Sequence, residues 1–196
     1  NAVITPTLVG TPQVSAFSPF VSTTSYLAST NGGSQYYNGN SGNYSRIALA
    51  QNMFGFGTGD FTIECWVYFN VLPSSSGPDG QTILGSANAA FTGVYFTVSV
   101  SGTGYTFLNR TGATYVYVNN PIPQVNTWTH LAFVNAGTTM TIYMNGVALP
   151  NTGSLTGTGP PASVILAVGY HGYSIGYNLP VSRVGFNGYI SNLRAV

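Results

Sequence analysis

At 196 residues the chain fits one domain, and its 44% hydrophobic and 14% aromatic content is ample for a buried core. Ionisable side chains are few: four arginines, three acids, no lysine, and a formal net charge of +1. This argues against a nucleic-acid groove, which needs clustered cations to displace counterions, and the plentiful hydrophobic residues argue against a disordered chain. No apolar run approaches the ~20 residues of a membrane-spanning helix, so neither nucleic acid nor membrane is an expected partner.

Solubility rests instead on Asn, Ser, Thr, Gly and tyrosine hydroxyl groups, a surface chemistry common on virions and outside cells. A single cysteine, Cys65, excludes an internal disulfide. Asn43-Tyr-Ser45 and Asn109-Arg-Thr111 match the glycosylation acceptor pattern, but such matches arise by chance in an Asn/Ser/Thr-rich chain. The start at Asn1, with no visible signal peptide, fits a processed protein or the ordered part of a longer one.

In chain order, residues 1–30 differ from the rest. They carry Pro6, Pro12 and Pro19, much Ser and Thr, and no charge. They read as an extended N-terminal arm or linker. It either hugs the surface as a lead-in strand, adds to the sheet edge of a neighbouring subunit, or tethers another domain. Residues 31–196 read as one β-domain.

Twenty-five glycines and eleven prolines interrupt the chain too often for long helices. Short runs rich in Val, Ile, Thr, Tyr and Phe lie between turn signals. The expected strands are Ser34–Tyr37, Ser45–Leu49, Phe61–Phe69, Thr82–Ser86, Val94–Val100, Tyr105–Leu108, Thr114–Val118, Thr129–Val134, Thr139–Met144, Val147–Leu149, Val164–Val168 and Gly185–Ala195. Asn145-Gly146 is a preferred type I′ hairpin pair. In the longest strand, Phe61, Ile63, Cys65, Val67 and Phe69 share one face, which must point inward. Trp66 on the opposite face implies partial cover there. A dozen strands in such a length predict an all-β, two-sheet antiparallel sandwich or jelly roll.

Three ordered segments carry a resemblance. The first is Ser34-Gln-Tyr-Tyr-Asn-Gly39 followed by Asn43-Tyr44. The second is Phe56-Gly-Thr-Gly-Asp-Phe-Thr-Ile-Glu-Cys-Trp-Val67. The third runs from Trp128-Thr-His130-Leu-Ala-Phe through Ile142-Tyr-Met-Asn-Gly146 to Gly185-Phe-Asn-Gly-Tyr-Ile-Ser-Asn-Leu-Arg194. Together they resemble the concanavalin A-like/laminin G-like modules of bacterial surface proteins and marine phage virion proteins. With Ser18-Pro-Phe20 upstream, the phage-type version is the better match. The resemblance implies a carbohydrate- or protein-binding sandwich, often used on a fibre or as a virion appendage. Where the family often carries Asp, this chain has Asn38, Asn43 and Asn145, which weakens any carried-over calcium site.

Candidate chemistry is sparse. Sugar hydrolysis needs two carboxyl groups facing one bond, ~5–9.5 Å apart, and the two-glutamate strand motif of the related glucanases is missing. Asp60 and Glu64 share a face but stand ~13 Å apart along a strand. His130 and His171 are the only histidines; His130, in a strand, reads as packed and hydrogen-bonded rather than as a base. Cys65 reads as a buried thiol. The loop around Asp79 offers calcium one carboxylate and several carbonyls, a weak metal candidate that reads better as a plain turn, so no cofactor is expected.

Glycan or partner contact is the sharper expectation. Tyr170, His171, Tyr173 and Tyr177 cluster polar-tipped aromatic groups in a Gly-rich loop. Tyr36, Tyr37 and Tyr44 form a second set, and Tyr115 with Tyr117 a third. Aromatic rings stack on sugar faces, but tyrosine is equally a strand and interface residue. The sequence therefore reads first as a non-enzymatic structural or interaction module. It would be a virion appendage, fibre or capsid-decoration component, homo-oligomeric and bound to other virion or surface proteins. The alternative is a lectin-like glycan-binding module of a phage fibre or cell-surface protein.

Overall fold

The computed structural model describes residues 6–21, 27, 33–40, 42–48, 59–72, 80–88, 94–101, 104–109, 114–119, 124–154, 164–170 and 185–196. They form strands β1 (Thr7–Val9), β2 (Gln13–Ser15), β3 (Ser34–Asn38), β4 (Tyr44–Ala48), β5 (Phe61–Phe69), β6 (Gln81–Asn88) and β7 (Val94–Val100). These continue with β8 (Gly104–Asn109), β9 (Thr114–Asn119), β10 (Trp128–Ala136), β11 (Thr139–Met144), β12 (Val147–Ser154), β13 (Val164–Val168) and β14 (Asn187–Ala195). All twelve expected strands are present, with ends shifted by a few residues.

Two seven-stranded sheets face each other. The first has the order β1-β4-β13-β6-β7-β8-β9 and the second β12-β11-β10-β5-β14-β3-β2. Every ladder is antiparallel. The period-2 rule explains the layering: along β5, buried and half-buried residues alternate without a break. Phe61, Ile63, Cys65, Val67 and Phe69 enter the core with Leu131, Phe133, Met140 and Ile142 of the same sheet. Opposite them stand Ile83, Val98, Val100, Tyr105, Phe107, Leu166 and Val168. Phe107 bridges the layers, its ring centroid 6.1 Å from Phe61 and 6.5 Å from Phe133.

Buried polar groups also tie the two sheets together. The Tyr37 hydroxyl donates to Gln35 Oε1 at 2.7 Å and lies 3.1 Å from Ser45 Oγ, tying β3 of one sheet to β4 of the other. Asn145 and Gly146 take φ of 51° and 81°, the left-handed pair that a type I′ turn requires.

The N-terminal segment does not reach away from this sandwich in its described part. β1 pairs with β4 at the edge of the first sheet, and β2 pairs with β3 at the edge of the second. Residues 10–12 cross between the two edges, held by the Thr11 N–H donating to Asn43 Oδ1 at 2.6 Å. Asn43 in turn donates its amide to Asn38 Oδ1. Two aspartates here would repel, so the Asn pair has its own structural use. At the far side of the sandwich β9 and β12 lie against each other.

Candidate functional site

The side of β10, β5 and β14 that faces away from the core carries the polar and aromatic residues left over from the inward set. Register places them in rows across the strands. Ala132, Glu64 and Arg194 form one row, and His130, Trp66 and Ser191 the next. Trp128, Tyr68, Tyr189 and Tyr36 form a third, across β10, β5, β14 and β3.

The first two rows frame a concavity of about 450 Å3, lined by Phe20, Glu64, Trp66, His130, Asn192, Leu193 and Arg194. Glu64 is bound at both oxygens: Oε1 accepts from Arg194 Nε, and Oε2 lies 3.3 Å from His130 Nε2. The Glu64 side chain is only 17% exposed, whereas that of Arg194 is 68% exposed. An ion pair so open to water contributes ~0–1 kcal/mol to stability; its value lies in fixing donors and an acceptor at the groove. The His130 ring centroid is 5.2 Å from that of Trp66. Its backbone is clamped by the β-turn, the His130 N–H donating to Asn145 Oδ1 and the Asn145 N–H to the His130 carbonyl, both at 2.9 Å.

A bulge supplies the arginine. Between Ser191 and Arg194 the register of β14 against β5 gains one residue, and Asn192 takes the left-handed φ of 49°. Regular alternation from Tyr189 would send Arg194 toward the core. The extra residue reverses the phase, so Leu193 and Ala195 pack on the core and Arg194 stands opposite Glu64.

The third row is covered by the chain itself. The Phe17 ring lies 4.8 Å from Tyr68, 5.2 Å from Trp128 and 4.9 Å from Tyr189. Phe20 continues the cover at 5.8 Å from Trp66.

The residues singled out from sequence are scattered. Tyr36 belongs to the third row, 5.0 Å from Tyr189. Tyr37 is fully buried and packs in the core, so its ring is turned away from solvent. Tyr170 is buried too, stacked on Tyr44 at 5.7 Å. His171, Tyr173, Tyr177 and Asp79 lie outside the described residues, as do the side chains of Tyr115 and Tyr117. Asp60 accepts from the Gly137 N–H at 2.6 Å and braces the β10–β11 turn. Among the described residues no three His, Cys, Asp or Glu side chains gather as a metal centre, and Glu64 meets two basic side chains rather than a second carboxylate.

Sequence reasoning flagged Trp66 as half-covered and His130 as packed, and both readings hold. It missed that the two are neighbours, because which residues of β5 and β10 stand opposite each other is set by register. The outward parity of Glu64 and Trp66 was the available signal.

Two antiparallel sheets in this order, with no helix among the described residues, define a jelly-roll sandwich of the laminin G-like class. The chain belongs to the concanavalin A-like lectin/glucanases superfamily, whose laminin G-type model matches residues 38–196. No curated protein matches it at the level of sequence. Among solved structures it is similar to domain 4 of AbnA, an extracellular arabinanase of Geobacillus stearothermophilus, in complex with arabinotriose. The identity is 18% and the TM-score 0.61, over 97% of this chain and 81% of that one. It is also similar to domains LG4-5 of mouse laminin alpha1, with 16% identity and TM-score 0.56 over 83% of this chain. A third likeness is to the binding domain of Paraclostridial mosquitocidal protein 1, at 12% identity and TM-score 0.57 over 98% of this chain. The chain spans 40% of the laminin chain and 45% of the mosquitocidal one. At these identities the likeness is one of fold.

Proposed function

We propose that this chain is a non-catalytic, lectin-like carbohydrate-binding module acting outside cells or on a particle surface, with its primary subsite in the Trp66 groove. The observation that carries the reading is the meeting of one indole face with Arg194, His130, Glu64 and Asn192 around one concavity. An aromatic face stacks on the C–H face of a sugar ring, while fixed donors and acceptors bond its hydroxyl groups. Glu64, held at both oxygens by basic partners, serves as an anchored acceptor and not as half of a hydrolytic carboxylate pair. The arabinotriose complex of a structurally similar domain is in keeping with this reading. The stretch carrying His171, Tyr173 and Tyr177 is a further proposed contact region.

The test is a glycan array that includes arabinotriose, followed by titration calorimetry on the hits. Trp66→Ala is expected to weaken binding by at least about tenfold, the size of one lost aromatic stacking contact. An array without hits sinks the reading.

A second reading, as an interaction component of a virion appendage or fibre, draws on the charge-poor surface and on the short edge strand β2, where Val14 is 81% exposed. β1 and β2 pair with β4 and β3 of their own chain, so assembly through an exchanged arm would require those pairs to open. Sedimentation velocity decides it: a monomer at micromolar concentration rules against a self-assembling fibre unit.

A further inference from the structure

β2 and β3 pair with Ser15 opposite Ser34, so residues 16–33 leave and return at one point of the sheet edge. The first part of this excursion, residues 16–21, runs over the outward face of the second sheet. Its carbonyl at Phe17 accepts from Ser34 Oγ at 2.5 Å, and its Phe17 N–H donates to Ser15 Oγ at 3.1 Å. Beneath it lies the aromatic row on four adjacent strands, about 14 Å across at the usual strand spacing. None of these four rings is needed to fill the space between the sheets.

Two features set the Phe17 contact apart from ordinary packing. Phe17 stays 40% exposed although three rings surround it. In the neighbouring Trp128, the indole Nε1–H is buried without a hydrogen-bond partner among the described residues. A buried donor left unpaired is costly, and a phenyl ring offers it at best a weak acceptor in its π face. A sugar ring has similar size, presents C–H groups to the same aromatic faces, and brings hydroxyl oxygens that accept from the indole. The tyrosine hydroxyls of Tyr68, Tyr189 and Tyr36 add polar tips of the same kind.

We propose that the Trp128–Tyr68–Tyr189–Tyr36 row is a second saccharide subsite, continuous with the Trp66 groove, and that Phe17 is its intramolecular occupant, displaced by a sugar residue of a longer glycan. This rests on the carbohydrate-binding reading above. Phe20, over Trp66, links the two subsites, so a chain entering the groove meets the segment that closes the row.

Trp66 and Trp128 are the only tryptophans, which lets each subsite be read separately. Arabinotriose and neutral tri- and tetrasaccharides of glucose, galactose, mannose and xylose are titrated against the wild type and the Phe17→Ala and Tyr189→Ala variants. Trp128 emission is followed in a Trp66→Phe background. Removing the competing ring is expected to raise affinity about three- to tenfold, and removing Tyr189 to lower it about as much. Trp128 emission is expected to change on binding. Should Phe17→Ala fold poorly, Ser34→Ala loosens the same segment with the ring retained and is expected to raise affinity by a smaller factor. Binding by Phe17→Ala alone also supports the proposal. A wild type that binds through Trp66, with Phe17→Ala unchanged or weaker and Trp128 silent, overturns the second subsite and leaves the groove. No binding by either protein brings down both.

Discussion

Cys65 shows how one inward position on a central strand decides chemistry. Its side chain is buried on β5, and burial, with a smaller contribution from the adjacent Glu64 charge, pushes the thiol up to about 12. A thiol held in its neutral form is a poor nucleophile. The folded protein is expected to leave Cys65 unreacted with a disulfide-exchange reagent at pH 8, while the urea-unfolded chain titrates one thiol. The same shift acts on stability. Above the unfolded thiol value of ~8.5 the unfolded chain has released its proton and the folded one has not. This contribution is therefore complete below that pH and is lost progressively as pH rises toward 12. Burial also raises the hydroxyls of Tyr37, against the opposing effect of its hydrogen bond with Ser45, and of Tyr105, which extends the alkaline loss. Thermal melts from pH 7 to 11 should fall less steeply for Cys65→Ala than for the wild type, each referred to its own pH 7 value. An equal slope contradicts the assignment.

At the scale of elements, β14 carries the most information per residue. Gly188 has a φ of 148°, and a Cβ there would lie 1.9 Å from the Tyr68 carbonyl oxygen, so the strand passes β5 closer than any side chain permits. Four residues on, the Asn192 bulge turns Arg194 outward. Asn accepts the left-handed conformation, Gly does so freely, and a β-branched residue pays ~1–2 kcal/mol for it. Asn192→Val is expected to destabilise by about that amount in urea unfolding and to weaken glycan binding by displacing Arg194, whereas Asn192→Gly stays within ~0.5 kcal/mol. Equal stability of the two variants would show that the bulge does not depend on the backbone of residue 192. In the sequence the Tyr-Ile-Ser-Asn-Leu-Arg run lies within one expected strand, Gly185–Ala195, and the inserted residue is located only when the strand is laid against its neighbour.

For the whole molecule, the decisive feature is that the N-terminal strands cover β4 and β3, which would otherwise be the sheet margins on that side. An uncovered edge presents unpaired N–H and C=O groups that recruit other chains. Removing residues 1–21 is expected to lower the melting temperature by several degrees and to produce light scattering at concentrations where the full chain is clear. A truncated chain that melts like the parent and stays clear would show that the arm is dispensable. In the sequence residues 1–30 stand out only by composition, rich in proline and free of charge. Their destination is not legible there, because an extended strand pairs equally well with its own sheet or a neighbour's.

Strand content, the inward face of β5 and the Asn145-Gly146 turn were all written in local sequence, and the family showed as a resemblance of three ordered segments. Side-chain alternation and turn chemistry act over a few residues and need no knowledge of the rest. Tertiary structure alone decided that Glu64, Trp66, His130 and Arg194 meet, that Tyr37 and Tyr170 turn inward, and that Phe17 lies on Tyr68, Trp128 and Tyr189. These contacts join residues tens to more than a hundred positions apart. Their register is fixed only when both hydrophobic faces close on one core.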